Sequence, residues 1–187
     1  ELFENVSNRL ADGAVVGWFQ GRAEFGPRAL GHRSILVDPR RTDAKELLNK
    51  KIKKREEFRP FAPSILKEYI DEYFEQTDEV PFMEQVFQIK KEKHSLIPAV
   101  THIDGSGRLQ TVDKNSSPKY YNLISSFYKK TDIPVLLNTS FNENEPIVNS
   151  VSDALNCFLR TNMDMLVIED IIIERFITDN ECDKNLW

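Results

Sequence analysis

The chain has 187 residues, of which 40% are hydrophobic and 29% are charged, and its formal net charge at pH 7 is −5. This length suffices for one domain with its own core, and the composition excludes disordered, collagen-like and low-complexity proteins. No apolar run approaches the roughly 18 residues of a membrane-spanning helix, so we expect no membrane partner.

Three scattered histidines and two cysteines without a CxxC spacing predict neither a metal site made by this chain nor a disulfide framework. The first ten residues are polar and show no signal-peptide pattern. We therefore expect a reducing, cytoplasmic compartment. Because the chain starts at Glu1 and not at a methionine, we also expect it to be part of a longer protein.

The first third of the chain alternates helix and strand patterns. Apolar residues four apart predict a helix over 2–12. Short β-branched and aromatic runs predict buried strands over 14–20 and 34–38, separated by a loop rich in glycine over 21–34. A helix capped by Thr42 or Asp43 is expected to run to about residue 54.

The middle of the chain is predicted to contain more strands than helices. Two prolines make 58–66 an extended segment, and a short helix follows over 67–76. Alternating residues predict a strand over 86–91. Two further strands, 96–103 and 108–113, flank an Asp-Gly turn typical of a hairpin.

The last third again alternates helices and strands. An amphipathic helix is predicted over 118–130, with its apolar face at Tyr121, Ile124, Phe127 and Tyr128. A buried strand over 134–141 precedes a helix over 152–162 that Ser152 caps, and strands follow over 165–170 and, as a possible continuation, 171–177. We expect one domain over 1–177, an α/β or α+β sheet with packed helices, and a polar tail over 178–187.

Positive charge is concentrated in one segment. Residues 20–60 hold 12 of the 25 basic residues and 6 of the 30 acidic ones, so this segment carries +6 and the remainder −11. A basic island on an acidic protein favours a local anion site over a general nucleic-acid surface. The alternative for the lysines of 45–54 is a solvated helix face.

The first motif is the loop over 21–34, which contains Arg22, Arg28 and Arg33 among three glycines. Guanidinium groups match phosphate and carboxylate oxygens, and glycines let the backbone approach an anion closely. No Walker-type lysine follows the glycines. The alternative is a surface loop whose arginines pair with the excess acidic residues.

The second motif spans 53–63 and places Lys53 and Arg59 beside a stretch that two prolines stiffen. Phe58 and Phe61 are expected to pack in the core rather than to stack on a base. These cations are candidates for binding an anion, and the charges between them are also compatible with a plain surface.

The third motif, 137–146, crowds small polar residues at the end of an apolar strand, with Asn138, Ser140 and Asn142 as candidates. Ligands of open α/β sheets bind just beyond the carboxyl ends of strands. A capped, Asn-rich turn is the alternative. Arg108, after the predicted hairpin turn, either pairs with Asp104 or reaches the same anion.

Three stretches, GRAEFGPRALGHRSIL, NKKIKKREEFRPFAPSIL and PVLLNTSFNENEPIV, together resemble the C-terminal domain of the O-carbamoyltransferases that modify nodulation factors and antibiotics. The resemblance runs from about residue 11 to 177. It implies a YrdC-like domain, with a twisted open mixed sheet and helices packed on it, similar to threonylcarbamoyl-adenylate synthases.

The resemblance also implies an activity. In that family the C-terminal domain makes carbamoyl adenylate from carbamoyl phosphate and ATP, releasing phosphate and pyrophosphate. A Kae1-like N-terminal domain then passes the carbamoyl group to a hydroxyl. The implied substrates are carbamoyl phosphate and ATP with its Mg²⁺, and the implied partner is that N-terminal domain, which is expected to hold an acceptor that this sequence does not identify.

The resemblance assigns roles to the candidate residues. The expected catalytic cations hold the carbamoyl and phosphate groups (Lys53, Arg59) and further phosphates (Arg28, Arg33). The expected substrate-binding residues add another cation and line the nucleotide end: Arg108, Asn138, Ser140 and Asn142, with Arg22 as a looser match.

Two other functions stay open from the sequence. An RNA-binding module would use the basic residues of 45–59, but the acidic net charge and the lack of interleaved aromatics disfavour it. A domain that binds nucleotide without turnover is the second. Salt-dependent RNA binding would favour the first, and nucleotide binding without pyrophosphate release would favour the second.

Overall fold

A mixed sheet of eight strands organises the part of the chain that the computed structural model describes, residues 1–53 and 61–175. Its spatial order is β4-β5-β3-β6-β2-β1-β7-β8. Only the β1–β7 and β3–β5 pairs are parallel among these strands. The strands are β1 (Val16–Phe19), β2 (Arg33–Val37), β3 (Ala62–Leu66), β4 (Gln85–Gln88), β5 (Ser106–Val112), β6 (Val135–Ser140), β7 (Met165–Ile168) and β8 (Ile171–Glu174).

Five α-helices accompany the sheet within the same residues: α1 (Leu2–Ala11), α2 (Ala44–Leu48), α3 (Ile70–Tyr73), α4 (Pro118–Thr131) and α5 (Val151–Arg160). A π-helical turn, Asn49–Lys53, continues α2, and a 3₁₀ turn, Lys67–Tyr69, precedes α3. Every helix in residues 1–53 and 61–175 falls short of the length and hydropathy that crossing a membrane requires.

The core lies where the helices cover the central strands. Every residue of β1, β2, β3 and β7 is buried, as expected for continuous apolar runs. Helix α1 packs against α4, burying Val6 and Leu10 on one side and Ile124 and Phe127 on the other. Each such side chain contributes about 1.5–3 kcal/mol through the hydrophobic effect.

The predicted hairpin over 96–113 is wrong in its first strand. Pro98–Val100 forms a 3₁₀ turn, and Pro98 has no N–H to donate to a strand ladder. Ile97 and Val100 are fully buried, so their apolar character reflects core packing and not a strand. The Asp-Gly turn does precede β5, but β5 pairs with β4 and β3.

Helix α5 begins at Val151, one residue before the predicted start, and its N-cap lies two residues before the predicted one. Ser150, and not Ser152, is the N-cap: its Oγ accepts the Asp153 N–H at 3.2 Å, and the Asp153 carboxylate accepts the Ser150 N–H at 2.9 Å. This reciprocal pair is a capping box. Helix α4 is also rotated slightly, because Tyr120 and Leu123 are buried where Tyr121 and Tyr128 were expected.

Other boundaries differ in detail. Asp43, one of the two predicted residues, is the N-cap of α2, but its carboxylate binds the Arg41 guanidinium and makes no capping hydrogen bond. The run over 171–177 does not continue β7: Glu169 adopts φ of 50° and the chain reverses into antiparallel β8. The predictions for Phe58, Arg59 and the tail over 178–187 lie outside the described residues.

Candidate active site

A cavity of about 250 Å³ opens between the loop 21–32 and the strands β3, β5 and β6. The loop and the sheet each contribute to it: Pro27, Arg28, Ala29, Phe61, Ala62, Met83, Arg108, Asn138, Thr139 and Ser140. Four of the predicted site residues therefore meet, although they are far apart in sequence. Two of these lining residues are arginines and none is acidic, which suits an anionic ligand.

Met83 is a lining residue that the sequence analysis missed. It is 3% exposed and adopts φ of 57°, a left-handed conformation that costs a non-glycine residue about 1–2 kcal/mol. Strained backbone of this kind is concentrated at functional sites. No local sequence signal marks Met83, because it follows an ordinary loop over 77–82.

The loop over 21–32 owes its path to glycine. Gly31 adopts φ of 103°, and a Cβ placed on it would lie 2.2 Å from the Tyr120 ring. No side chain fits there. The Gly31 carbonyl also accepts the indole N–H of Trp18 at 2.9 Å, so this end of the loop is fixed to β1.

The Glu24 side chain forms hydrogen bonds with the main chain at the C-terminal end of the same loop. Its Oε1 accepts the main-chain N–H groups of Leu30 at 2.7 Å, His32 at 2.8 Å and Arg33 at 3.2 Å. Burial raises the pKa of the Glu24 carboxyl, but the nearby His32 side chain, 3.7 Å away, and hydrogen bonds from main-chain N–H groups outweigh burial and lower this pKa to about 2. The sequence analysis missed Glu24, whose only signal was an acidic residue within a basic motif.

A buried polar cluster joins the same loop to the sheet. The Asn138 Nδ2, which has two hydrogens to donate, lies 3.1 Å from both the Ala29 carbonyl and Ser64 Oγ and 3.0 Å from Gln110 Oε1. Gln110 in turn donates to the Leu30 carbonyl at 2.8 Å. Asn138 thus anchors the loop, and its Oδ1 is buried without a hydrogen-bond partner within residues 1–53 and 61–175.

Lys53 contacts the lining residue Ser140 but is not among the described residues that line the cavity. The residue is 2% exposed, and its Nζ donates to the Ser140 and Asn142 carbonyls at 2.6 and 2.7 Å and to Asn142 Oδ1 at 2.7 Å. An ammonium group has three donors, and Ser140 Oγ is a further acceptor, 3.3 Å from Nζ. Lys53 therefore joins Ser140 and Asn142 in this structure, and its direct contact with an anion stays a prediction.

Asn142 also faces the protein rather than the cavity. Its Oδ1 accepts from Ser140 Oγ at 2.8 Å as well as from Lys53, and its amide N–H donates to the Glu145 carbonyl at 2.6 Å. These bonds hold the turn that follows β6. Ser140 is the member of this group that lines the cavity.

Arg33 does not contribute to the cavity either. It is 4% exposed, and its guanidinium donates to the Gln20 and Gly21 carbonyls at 2.8 and 2.9 Å while lying 3.5 Å from the centroid of the Phe19 ring. The expected phosphate contact is revised, because these bonds commit Arg33 to clamping the two ends of the loop.

Two further predicted residues lie elsewhere. Arg22 lines a separate, larger cavity of about 760 Å³ on the other side of the loop, so the structure does not bring it to Arg28. Arg59 lies outside the described residues. Within residues 1–53 and 61–175, no three His, Cys, Asp or Glu side chains are grouped to hold a metal ion.

Known proteins resemble this chain along most of its length. The family model described as "Carbamoyltransferase C-terminus" matches residues 7–175. Nodulation protein NolNO of Sinorhizobium fredii is 54% identical over 183 residues, which cover 94% of this chain and 27% of that protein. The 3'-hydroxymethylcephem-O-carbamoyltransferase of Amycolatopsis lactamdurans is 41% identical over 166 residues, covering 88% of this chain and 31% of that protein.

A solved structure shares the fold. Full-length HypF, in a phosphate- and nucleotide-bound form, matches with a TM-score of 0.58 at 19% sequence identity, covering 92% of this chain and 21% of that chain. This likeness confirms the predicted α/β fold class. The chain spans less than a third of the length of the two curated relatives described above.

Proposed function

The chain belongs to the carbamoyltransferase C-terminal family, and from this premise we propose that it forms carbamoyl adenylate from carbamoyl phosphate and ATP. In the proposed reaction, water cleaves carbamoyl phosphate into phosphate and carbamate. A carbamate oxygen then attacks the α-phosphorus of ATP, and the bond to pyrophosphate breaks. Mg²⁺ enters as part of the ATP substrate.

The observation that carries the proposal is the pair of arginines, Arg28 and Arg108, at one cavity whose described lining has no acidic side chain. Attack of carbamate on ATP brings two anions together. Fixed cations reduce their repulsion and stabilise the charge that develops in the transition state. No nucleophilic side chain is needed, because carbamate itself attacks.

The size of the cavity indicates which parts of the two substrates it can hold. Sites for drug-sized ligands measure about 300–1,000 Å³, and this cavity measures about 250 Å³. We therefore assign it to the carbamoyl and phosphate groups and expect the adenosine to extend beyond it. Ser140 and Asn138, which line the cavity, have hydroxyl and amide groups suited to the carbamoyl amide.

Protein groups hold these ligands in place. Lys53 fixes Ser140 through the turn after β6, and Arg33 fixes the ends of the loop that carries Arg28. Arg59 stays a proposed ligand for the carbamoyl or phosphate group on the strength of its motif alone.

We further propose that a separate N-terminal, Kae1-like domain transfers the carbamoyl group to a hydroxyl acceptor. The lengths of the relatives support this, because this chain spans 27% and 31% of them. The name of the Amycolatopsis relative says that this relative carbamoylates an oxygen of a 3'-hydroxymethylcephem. The cytoplasm is the proposed compartment, since ATP is a substrate.

An RNA-binding surface has less support. Several cations of the basic segment already pair with acidic side chains, at distances of 2.5 to 2.6 Å: Arg40 with Asp38, Arg41 with Asp43 and Lys51 with Asp164. Lys53 and Arg33 are buried. The described part of the segment, residues 20–53, therefore does not present a continuous basic face.

The test is pyrophosphate release by the protein with ATP, Mg²⁺ and carbamoyl phosphate, each omitted in turn. We expect release only when all three are present. Arg28→Ala and Arg108→Ala should each lower kcat/KM by about 10²-fold, the cost of one transition-state donor. Arg9→Ala is the control. It removes an arginine of α1 that pairs with Glu174 of β8, and it should change kcat/KM less than twofold. Release that does not require carbamoyl phosphate would contradict the proposal.

A further inference from the structure

The loop that carries Arg28 contains one acidic residue, and this residue is buried. The Glu24 side chain is 7% exposed, although its neighbours Ala23 and Phe25 are exposed. A carboxylate beside a phosphate-binding arginine would ordinarily weaken binding through its negative charge. Here its Oε1 accepts three main-chain N–H groups, which offset that charge locally.

The contacts of Glu24 define a closed loop. The bond from the Leu30 N–H to Glu24 Oε1, at 2.7 Å, joins positions 24 and 30 and leaves residues 25–28 as an exposed arc. No hydrogen bond to another described residue holds that arc itself. Among the described residues, the hydrogen bonds that hold this part of the loop are therefore at its two ends.

The two ends are fixed by different groups. At the far end, Asn138 and Gln110 hold the Ala29 and Leu30 carbonyls. At the near end, Arg33 and Glu169 hold Gly21, and Glu24, the residue next to the arc, joins it to the chain that follows. Charge-assisted hydrogen bonds are shorter and stronger than neutral ones, so a carboxylate is suited to this task.

We propose that Glu24 is a positioning residue of the anion site, which sets the arc of 25–28 so that Arg28 lies at the same cavity as Arg108. The inference rests on the proposed function, because it takes the cavity to be the place where the anionic substrate binds. Glu24 touches no reacting group and acts through Arg28.

This role differs from simple stabilisation in what it predicts. A group that only stabilises the fold lowers the melting temperature when removed but leaves the affinity of the folded protein unchanged. A group that acts through Arg28 lowers affinity only while Arg28 is present. The two substitutions are then non-additive, which a double-mutant cycle measures.

The experiment is a calorimetric titration with inorganic phosphate, and separately with Mg²⁺-ATP, at a temperature where every variant is folded. The variants are Glu24→Ala, Arg28→Ala and the double variant. We expect Glu24→Ala to weaken phosphate binding about tenfold or more, and the double variant to bind within about twofold of Arg28→Ala. Glu24→Gln keeps an acceptor oxygen and should recover most of the affinity.

The matched control is Asp113→Ala. The Asp113 carboxylate also accepts main-chain N–H groups, from Asn115 and Ser116 at 2.9 and 3.1 Å, but in a turn that carries no residue of the cavity. It should lower stability without changing the affinity for phosphate. If Glu24→Ala is unfolded at all temperatures, the comparison of Glu24→Gln with wild type replaces it, and a small loss of affinity that disappears in the Arg28→Ala background supports the proposal.

The outcomes separate the two claims. Effects of Glu24 and Arg28 that add independently, or a Glu24→Ala variant that binds like wild type while Arg28→Ala does not, would overturn the positioning role alone. Equal binding by wild type and Arg28→Ala, or no binding by wild type, would overturn both the proposed site and this inference.

Discussion

At the scale of single residues, Lys53 is a buried cation bonded to oxygens of the turn that follows β6. Its neighbour Lys50, in the same π-helical turn, is exposed. We expect Lys53→Met to lower the free energy of unfolding by about 1–3 kcal/mol, because it leaves buried acceptors without donors. Lys50→Met should change it by less than about 0.5 kcal/mol.

Urea unfolding of the two methionine variants measures this difference. Equal midpoints for Lys53→Met and Lys50→Met would show that the Lys53 ammonium does not hold the turn. A matching loss of pyrophosphate release in Lys53→Met alone is expected, since Ser140 depends on that turn.

Glu24 makes stability depend on pH. Folding lowers the pKa of its carboxyl from 4.5 to about 2, which corresponds to about 3 kcal/mol. A lowered pKa means that the ionised form adds stability above about pH 4.5 and that this stability disappears as the pH falls towards 2. The wild type should therefore exceed Glu24→Gln in stability at pH 6, and the gap should narrow below pH 4.5.

Unfolding free energies of both proteins between pH 2 and pH 7 check this expectation. Comparison with the variant cancels the other carboxyl groups, which titrate in both proteins. A gap that stays constant down to pH 2.5 would mean that the Glu24 carboxylate is not the acceptor that the structure shows.

The sequence predicted part of the site at this scale. Glycine hinges and arginines indicated an anion loop, and Arg28, Arg108, Asn138 and Ser140 do meet at one cavity. The contacts of Lys53 and Arg33 were not predictable from the motifs, because most of their acceptors are main-chain carbonyls. Which carbonyl meets which cation depends on how the turn after β6 and the ends of the loop pack.

At the scale of elements, the cap of α5 is a testable assignment. Ser150→Ala removes the acceptor of the Asp153 N–H and should cost about 0.5–2 kcal/mol of stability. Ser152→Ala, at the second residue of the helix, removes only a hydroxyl contact with Ser150; it is the control and should cost less than Ser150→Ala. Thermal or urea unfolding of the two variants measures the difference in stability. A larger loss of stability in Ser152→Ala than in Ser150→Ala would show that Ser152 is the N-cap, as the sequence predicted.

Strands were easier to predict than the elements between them. Continuous apolar runs such as those of β1, β6 and β7 have one stable placement, in the middle of a covered sheet. The stretch around Pro98 is equally apolar but forms a 3₁₀ turn. Periodicity does not distinguish a short buried strand from a short buried helical turn. The π-helical turn that contains Lys53 could not be predicted from the sequence either, although such turns are frequent at functional sites.

At the scale of the whole molecule, an acidic protein with a net charge of −5 keeps a cavity with two arginines and no acidic lining residue among those described. A negative surface repels anionic substrates in general, so binding depends on local cations. The chain also spans less than a third of its two curated relatives. This arrangement fits a domain that activates a carbamoyl group and leaves the acceptor to another domain.

The most direct test of that account follows one oxygen atom. The protein is incubated with ATP, Mg²⁺ and carbamoyl phosphate labelled with ¹⁸O at the carbonyl oxygen, and the AMP is analysed by mass spectrometry. If carbamate attacks the α-phosphorus, part of the AMP carries ¹⁸O after the carbamoyl group is lost, and Arg28→Ala forms little of it. AMP that takes its oxygen only from water would contradict carbamoyl-adenylate synthesis by this chain.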